Sequence, residues 1–281
     1  MPTVTLPQGT IHYTEDGPPE GRVALFVHGA LVAGDLWGEV ARALAERGWR
    51  CLVPTWPLGC HTEAMRPDAD LSPPGQAEII HAFVTALGLR DVTLVGNDSG
   101  GALCQLAIDQ DPAPFSALVL TNCDAFDVFP PKAFRFLLTL GRRPRLMRAA
   151  FAGMRFDLIR RTLGYGVLVR RRLPRAMTAG WWAPWLTDPA IRHDVARFLG
   201  TVDPAALEPV SRRMSTFDRP VTLCWAVEDR FFTERLGRRL EATFPQARFV
   251  AVQDARTFVM WDQPQAVVAA LHDLDRVHEL A

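Results

Sequence analysis

Leu94-Val95-Gly96-Asn97-Asp98-Ser99-Gly100-Gly101-Ala102 is the stretch that decides the fold. It follows the β-branched run Val92 to Val95 and leads into a helical pattern, Ala102 to Asp109. A strand that turns this sharply into a helix strains the residue at its tip, so the positions two before and two after must be small. Gly96 and Gly100 fill those positions when Asp98 is the tip. With Ser99 at the tip, Asn97 would stand at the first of them, which fits worse.

Outward from this turn, short apolar runs alternate with helical patterns. Val23 to Val27, Arg50 to Val53 and Ala117 to Asn122 read as strands; Leu36 to Arg47 and Pro74 to Leu87 read as helices. After a long interruption, Val221 to Val227 and Ala247 to Val252 read as strands, and Thr233 to Thr243 and Pro264 to Leu274 as helices. Such alternation predicts an α/β fold, a mostly parallel sheet covered on both faces. From about Asp127 to Phe217 no strand-like run occurs. We expect residues 1–126 and 218–281 to form the core and 127–217 a helical cap.

Composition excludes several classes. Apolar residues make up 48% of the 281, enough for a large core, and the formal net charge is zero, so bulk charge names no partner. The five cysteines, Cys51, Cys60, Cys104, Cys123 and Cys224, show no metal-ligand or redox spacing. No basic start leads into an apolar stretch, and no run of about 18 apolar residues occurs. We therefore expect a cytoplasmic protein without cofactor or metal, acting on a small molecule, with no nucleic-acid or membrane partner; a homodimer is allowed. The segment Arg142 to Arg175 carries eleven arginines with Asp157 as its lone acid. That pattern suits attraction of an anion, or more simply a solvated helix face.

The turn around Asp98 resembles the nucleophile elbow of the α/β-hydrolase fold superfamily, in its Asp-nucleophile branch of epoxide hydrolases and haloalkane dehalogenases. Other landmarks recur in order. His28-Gly29-Ala30 resembles the oxyanion loop, which implies that the N–H groups of Ala30 and Ser99 face developing negative charge. Trp37 stands where many relatives have an aromatic. Trp225-Ala226-Val227-Glu228-Asp229 resembles the turn that carries the catalytic acid, here Asp229. Some relatives place that acid after the preceding strand, where this chain has Asp124 and Asp127. The resemblance implies a pocket formed with His28, Ala30, Trp37, Asn97, Ser99, Asp124 and Thr257.

It breaks at the last loop. Relatives read like D-A-G-H-F with a proline seven residues after the histidine. This chain reads Asp254-Ala255-Arg256-Thr257-Phe258, with Pro264 seven after Thr257. A hydroxyl cannot replace imidazole as a base near neutral pH. An Asp nucleophile needs no base to attack, but its covalent ester needs an activated water for release. His61, in the loop after Arg50 to Val53, is the leading candidate for that base. The marks of named substrates are incomplete: only Tyr13 and Tyr165 occur, so one tyrosine at most lies in the cap, and Ser99 stands where dehalogenases usually carry Trp. Three functions stay open: a hydrolase of a small apolar epoxide, halide or ester; a cofactor-free lyase, isomerase or cyclase with Asp98 as general base; and a disabled hydrolase that only binds ligand.

Overall fold

The computed structural model describes residues 1–278. Among them eight strands form one sheet: β1 (Thr3–Leu6), β2 (Gly9–Asp16), β3 (Arg22–Val27), β4 (Trp49–Pro54), β5 (Val92–Asp98), β6 (Phe115–Cys123), β7 (Val221–Ala226) and β8 (Ala247–Val252). Their order is β1-β2-β4-β3-β5-β6-β7-β8, parallel throughout except for β1 and β2. β5, β6 and β7 are buried at almost every position, and β3 from Ala24 onward, as strands covered on both faces must be. That is why they read as continuous apolar runs. β1 and β2 escaped the sequence reading because they form the half-exposed antiparallel edge, where polar residues alternate with buried ones.

Helices α1 (Gly38–Ala45), α2 (Pro73–Ala86) and α3 (Ser99–Gln110) cover the first half of the sheet. The expected helix from Leu36 begins instead as a 3₁₀ turn, Gly34–Trp37. Ser72 caps α2 by accepting from the Gly75 N–H, with proline at its first turn. Between β6 and β7 lie α4 (Phe136–Gly141), α5 (Pro144–Phe151), α6 (Asp157–Ile159), α7 (Arg175–Thr187), α8 (Pro189–Thr201) and α9 (Leu207–Arg213). The chain closes with α10 (Glu234–Glu241), α11 (Val259–Asp262) and α12 (Pro264–His278).

The cap arginines do more than coat a wet helix face. Arg160 is buried and donates to the carbonyls of Met154 and Arg155. Arg171 donates to Glu39 and to the Trp261 carbonyl while its guanidinium stacks on the Trp261 ring at 4.0 Å. Arg170 pairs with Glu228. Asp262 accepts from the backbone N–H groups of Arg170, Arg171 and Arg256, tying cap to core. No helix among the described residues is long and apolar enough to cross a membrane.

Candidate active site

β5 ends at Asp98 and α3 begins at Ser99, so no loop residue separates strand from helix. Asp98 absorbs the whole change of direction at φ 55°, ψ −132°, a conformation that costs an L-residue roughly 1–3 kcal/mol and clusters at functional sites. The flanking glycines are sterically required. A Cβ at Gly96 would come within 2.7 Å of Cys104 Sγ and 2.8 Å of Gly101 Cα; one at Gly100 would come within 2.3 Å of the Val27 carbonyl oxygen. A side chain at Gly29 would strike Asp98 Oδ2 at 2.6 Å, so the His28-Gly29 loop passes directly over the carboxylate.

Burial pushes the Asp98 carboxyl up to about 7; the Ser99 N–H and hydroxyl oppose this, and the charge of Asp229 adds to it. The Ser99 N–H, expected to face an oxyanion, thus serves the carboxylate of Asp98 at rest.

Asp98 stands on the floor of a cavity of about 340 Å³ between sheet and cap, a size suited to a small organic ligand. Ala30 and Ser99 line it beside Asp98, and most of the rest is apolar, with Phe129, Phe134, Phe151 and Phe198 among its walls. Two polar groups of the cap reach it already paired. The Tyr165 hydroxyl donates to the Leu31 carbonyl and accepts from Trp182 Nε1 at 2.7 Å. Asp124 also lines the cavity. It follows β6, whose register sets Cys123 opposite Asp98, and its N–H donates to the Asp98 carbonyl at 3.3 Å. Its side chain is fully buried, and neither carboxyl oxygen makes a well-formed hydrogen bond, although the Ser99 hydroxyl lies close enough to favour its charged form. Burial first, then the Asp98 charge, raise its pKa well above the carboxylate range, while the Ser99 hydroxyl opposes both.

The other expected residues lie behind the wall. His28 accepts from the Trp56 N–H at Nε2 and donates from Nδ1 to the Gly29 carbonyl; burial lowers its pKa to about 4, so it is a neutral strut. Trp37 packs against Phe26, ring centroids 5.1 Å apart. Asn97 donates to Thr121, to the Asn122 carbonyl and to the Thr257 carbonyl, tying the last loop to β5 and β6. Asp229 accepts from the N–H groups of Phe231 and Phe232 through Oδ1. Its Oδ2 and the buried Thr257 hydroxyl lack well-formed hydrogen bonds, although that hydroxyl favours the charged form of Asp229. His61 points away from Asp98: its Nε2 meets Asp194 Oδ2 of α8 at 3.2 Å, a buried pair joining core to cap. His61, expected as the base, is not on the cavity wall, so in this arrangement it does not stand within reach of a water beside Asp98. No histidine lines the cavity among the described residues.

A family model described as alpha/beta hydrolase fold matches residues 23–264. The chain belongs to the α/β-hydrolase fold family. It is an enzyme of the hydrolase type with dehalogenase-like and decarboxylase-like relatives. A cis-3-alkyl-4-alkyloxetan-2-one decarboxylase of Xanthomonas campestris is 27% identical over 278 residues, 92% of this chain and 90% of the relative. Haloalkane dehalogenase 2 of Mycobacterium tuberculosis is 25% identical over 94% of this chain and 91% of its own. An α/β-hydrolase fold protein from Burkholderia ambifaria superimposes with a TM-score of 0.80 at 25% identity, covering 97% of both chains.

Asp124, expected among the pocket residues, lines the cavity; the burial of its carboxyl and its poor partnering are what the sequence does not show. Its signal was position: the first residue beyond the strand that pairs with β5, at the carboxyl edge where α/β sheets bind ligands.

Proposed function

We propose that this hydrolase acts on a small, largely apolar electrophile, of the epoxide, alkyl halide or ester type, and that Asp98 is its nucleophile. The carrying observation is the strained Asp98 carboxyl on the floor of an apolar cavity. A carboxylate in such a place is poorly solvated and close to bound substrate, two conditions that favour attack on carbon. Attack forms an ester between Asp98 and the substrate. The Ala30 and Ser99 N–H groups then suit an oxyanion when that ester is opened, because esterification takes from Asp98 the charge that Ser99 serves at rest.

Thr257 stands in for the histidine that relatives carry in the last loop, so ester release cannot follow the imidazole route. A second reading draws support from the relative named a decarboxylase. Loss of CO₂ from an oxetan-2-one ring leaves an alkene and consumes no water, so a related reaction here would need no water-activating base. Turnover of candidate substrates in ¹⁸O-water separates the two. Solvent oxygen in the product supports hydrolysis, and full turnover without it supports the second reading. If Asp98→Asn retains full activity, the nucleophile assignment is wrong under both.

A further inference from the structure

Resting on the reading of Asp98 as nucleophile, we propose that Asp124 is the acid–base of this active site and that the substrate's leaving group is a strained-ring oxygen, of the epoxide class, rather than a halide.

Among the described residues, five polar side chains reach the cavity: Asp98, Ser99, Asp124, Tyr165 and Trp182. Tyr165 and Trp182 are spent on each other and on the Leu31 carbonyl. Neither is free to hold a departing halide or to donate to an epoxide oxygen. Asp124 is the opposite case, fully buried on the cavity wall with no well-formed hydrogen bond to either oxygen and only the Ser99 hydroxyl nearby. A buried carboxyl without partners keeps its proton. Beside an ionised Asp98 it has a further reason to, since two near carboxylates resist ionising together. The resting pair thus holds one proton, on Asp124. Such a proton can be transferred to an oxygen leaving group, which must take one up, whereas a halide departs as a stable anion and makes no use of a poised acid.

The steps balance. An Asp98 carboxylate oxygen bonds to the ring carbon, the carbon–oxygen bond breaks, and its electron pair stays on the ring oxygen. Asp124 gives that oxygen its proton and is left ionised. Asp98, now an ester, is neutral and no longer opposes that charge. Water attacks the ester carbonyl carbon of Asp98, and Asp124 takes a proton from it. When the intermediate collapses, Asp124 returns this proton to the alcohol that leaves. Asp98 emerges as an acid, and its proton passes to Asp124, restoring the pair. The net reaction is addition of one water across the opened ring. One carboxyl thus serves first as acid and then as base, as in retaining glycosidases.

The test compares wild type, Asp124→Asn and Asp124→Glu, with 1,2-epoxydecane and 1-bromodecane as probes. Diol formation, intact mass and thermal unfolding are followed. General acid–base groups contribute about 10²–10⁴-fold, so Asp124→Asn should turn over the epoxide at least about a hundredfold more slowly. It should accumulate an adduct of one epoxide on Asp98, keep the wild-type unfolding temperature or exceed it, and lose the high-pH fall of the wild-type rate. Asp124→Glu should recover part of the rate, which a purely structural role for Asp124 would not produce. Turnover by Asp124→Asn at the wild-type rate overturns the acid–base role while leaving Asp98 as nucleophile. Consumption of the bromide but not the epoxide by wild type overturns the oxygen-ring assignment. If wild-type Asp98 is labelled by neither probe and neither is consumed, the underlying nucleophile reading falls as well.

Discussion

Two buried acidic clusters lie on either side of the cap–core boundary, and they are built in opposite ways. Asp194 on α8 has every need met: His61 and the Met65 N–H at Oδ2, Arg197 at Oδ1. Among the described residues, no cation pairs with Asp98 or Asp124 in the cavity they share, and the Asp124 carboxyl makes no well-formed hydrogen bond. A satisfied buried polar cluster fixes geometry; an unsatisfied one keeps its lone pairs for something that arrives later. On the proposed reading, this difference gives the chemistry to the carboxyl pair and leaves His61 an architectural role, the reverse of what a replacement imidazole would suggest.

The largest effect that would break the comparison is on rate. Asp98→Asn should lose at least about a thousandfold in turnover, as nucleophile removals do. Loss of only a small factor, in a variant shown to be folded by its unfolding curve, would return Asp98 to the status of a strained turn residue.

The pH dependence of stability sharpens it next. The folded-state pKa of Asp98 is raised from 3.8 to about 7. Between these values the folded state holds a proton that the unfolded chain has released, so the contribution of this group to stability falls as pH rises through that window. Asp98→Asn should therefore flatten the decline and unfold at a higher temperature than wild type at pH 8. Calorimetry across this range checks it; parallel profiles would contradict the raising of the Asp98 carboxyl by burial. The rate of covalent attack should move the other way, rising through about pH 7 as Asp98 ionises.

The His61 side predicts a loss of stability with little change in chemistry. His61→Ala leaves Asp194 short of a buried donor, which should cost about 1–3 kcal/mol and lower the melting temperature. The rate constant of the folded fraction, measured well below that temperature, should stay near wild type. A collapse of the rate without a fall in melting temperature would restore His61 as a base. Smallest is Tyr165→Phe. It removes the hydroxyl between Leu31 and Trp182 and should cost about 1 kcal/mol, with epoxide turnover changed little because that proton is already committed.

Much of this was legible in the sequence, and the reasons are physical. Gly96 and Gly100 announce Asp98 because only glycine clears the backbone and Cys104 at those points. The central strands read as continuous apolar runs because both faces are covered. β1 and β2 were missed because a half-wet edge shows no such run. The pairing of His61 with Asp194 spans 133 positions and depends on how the cap settles on the sheet, which no local pattern encodes. Tyr165 could be placed in the cap but not oriented, and its orientation is what removes it from the list of free donors.

One measurement bears most directly on the claim that Asp98 is the nucleophile. The enzyme is held in excess over 1,2-epoxydecane in ¹⁸O-water for a single turnover, then digested, and the peptide containing Asp98 is weighed. Solvent oxygen is expected in the Asp98 carboxyl, because water attacks the ester carbon rather than the substrate. Solvent oxygen found in the diol alone, with the Asp98 peptide unlabelled, would contradict it.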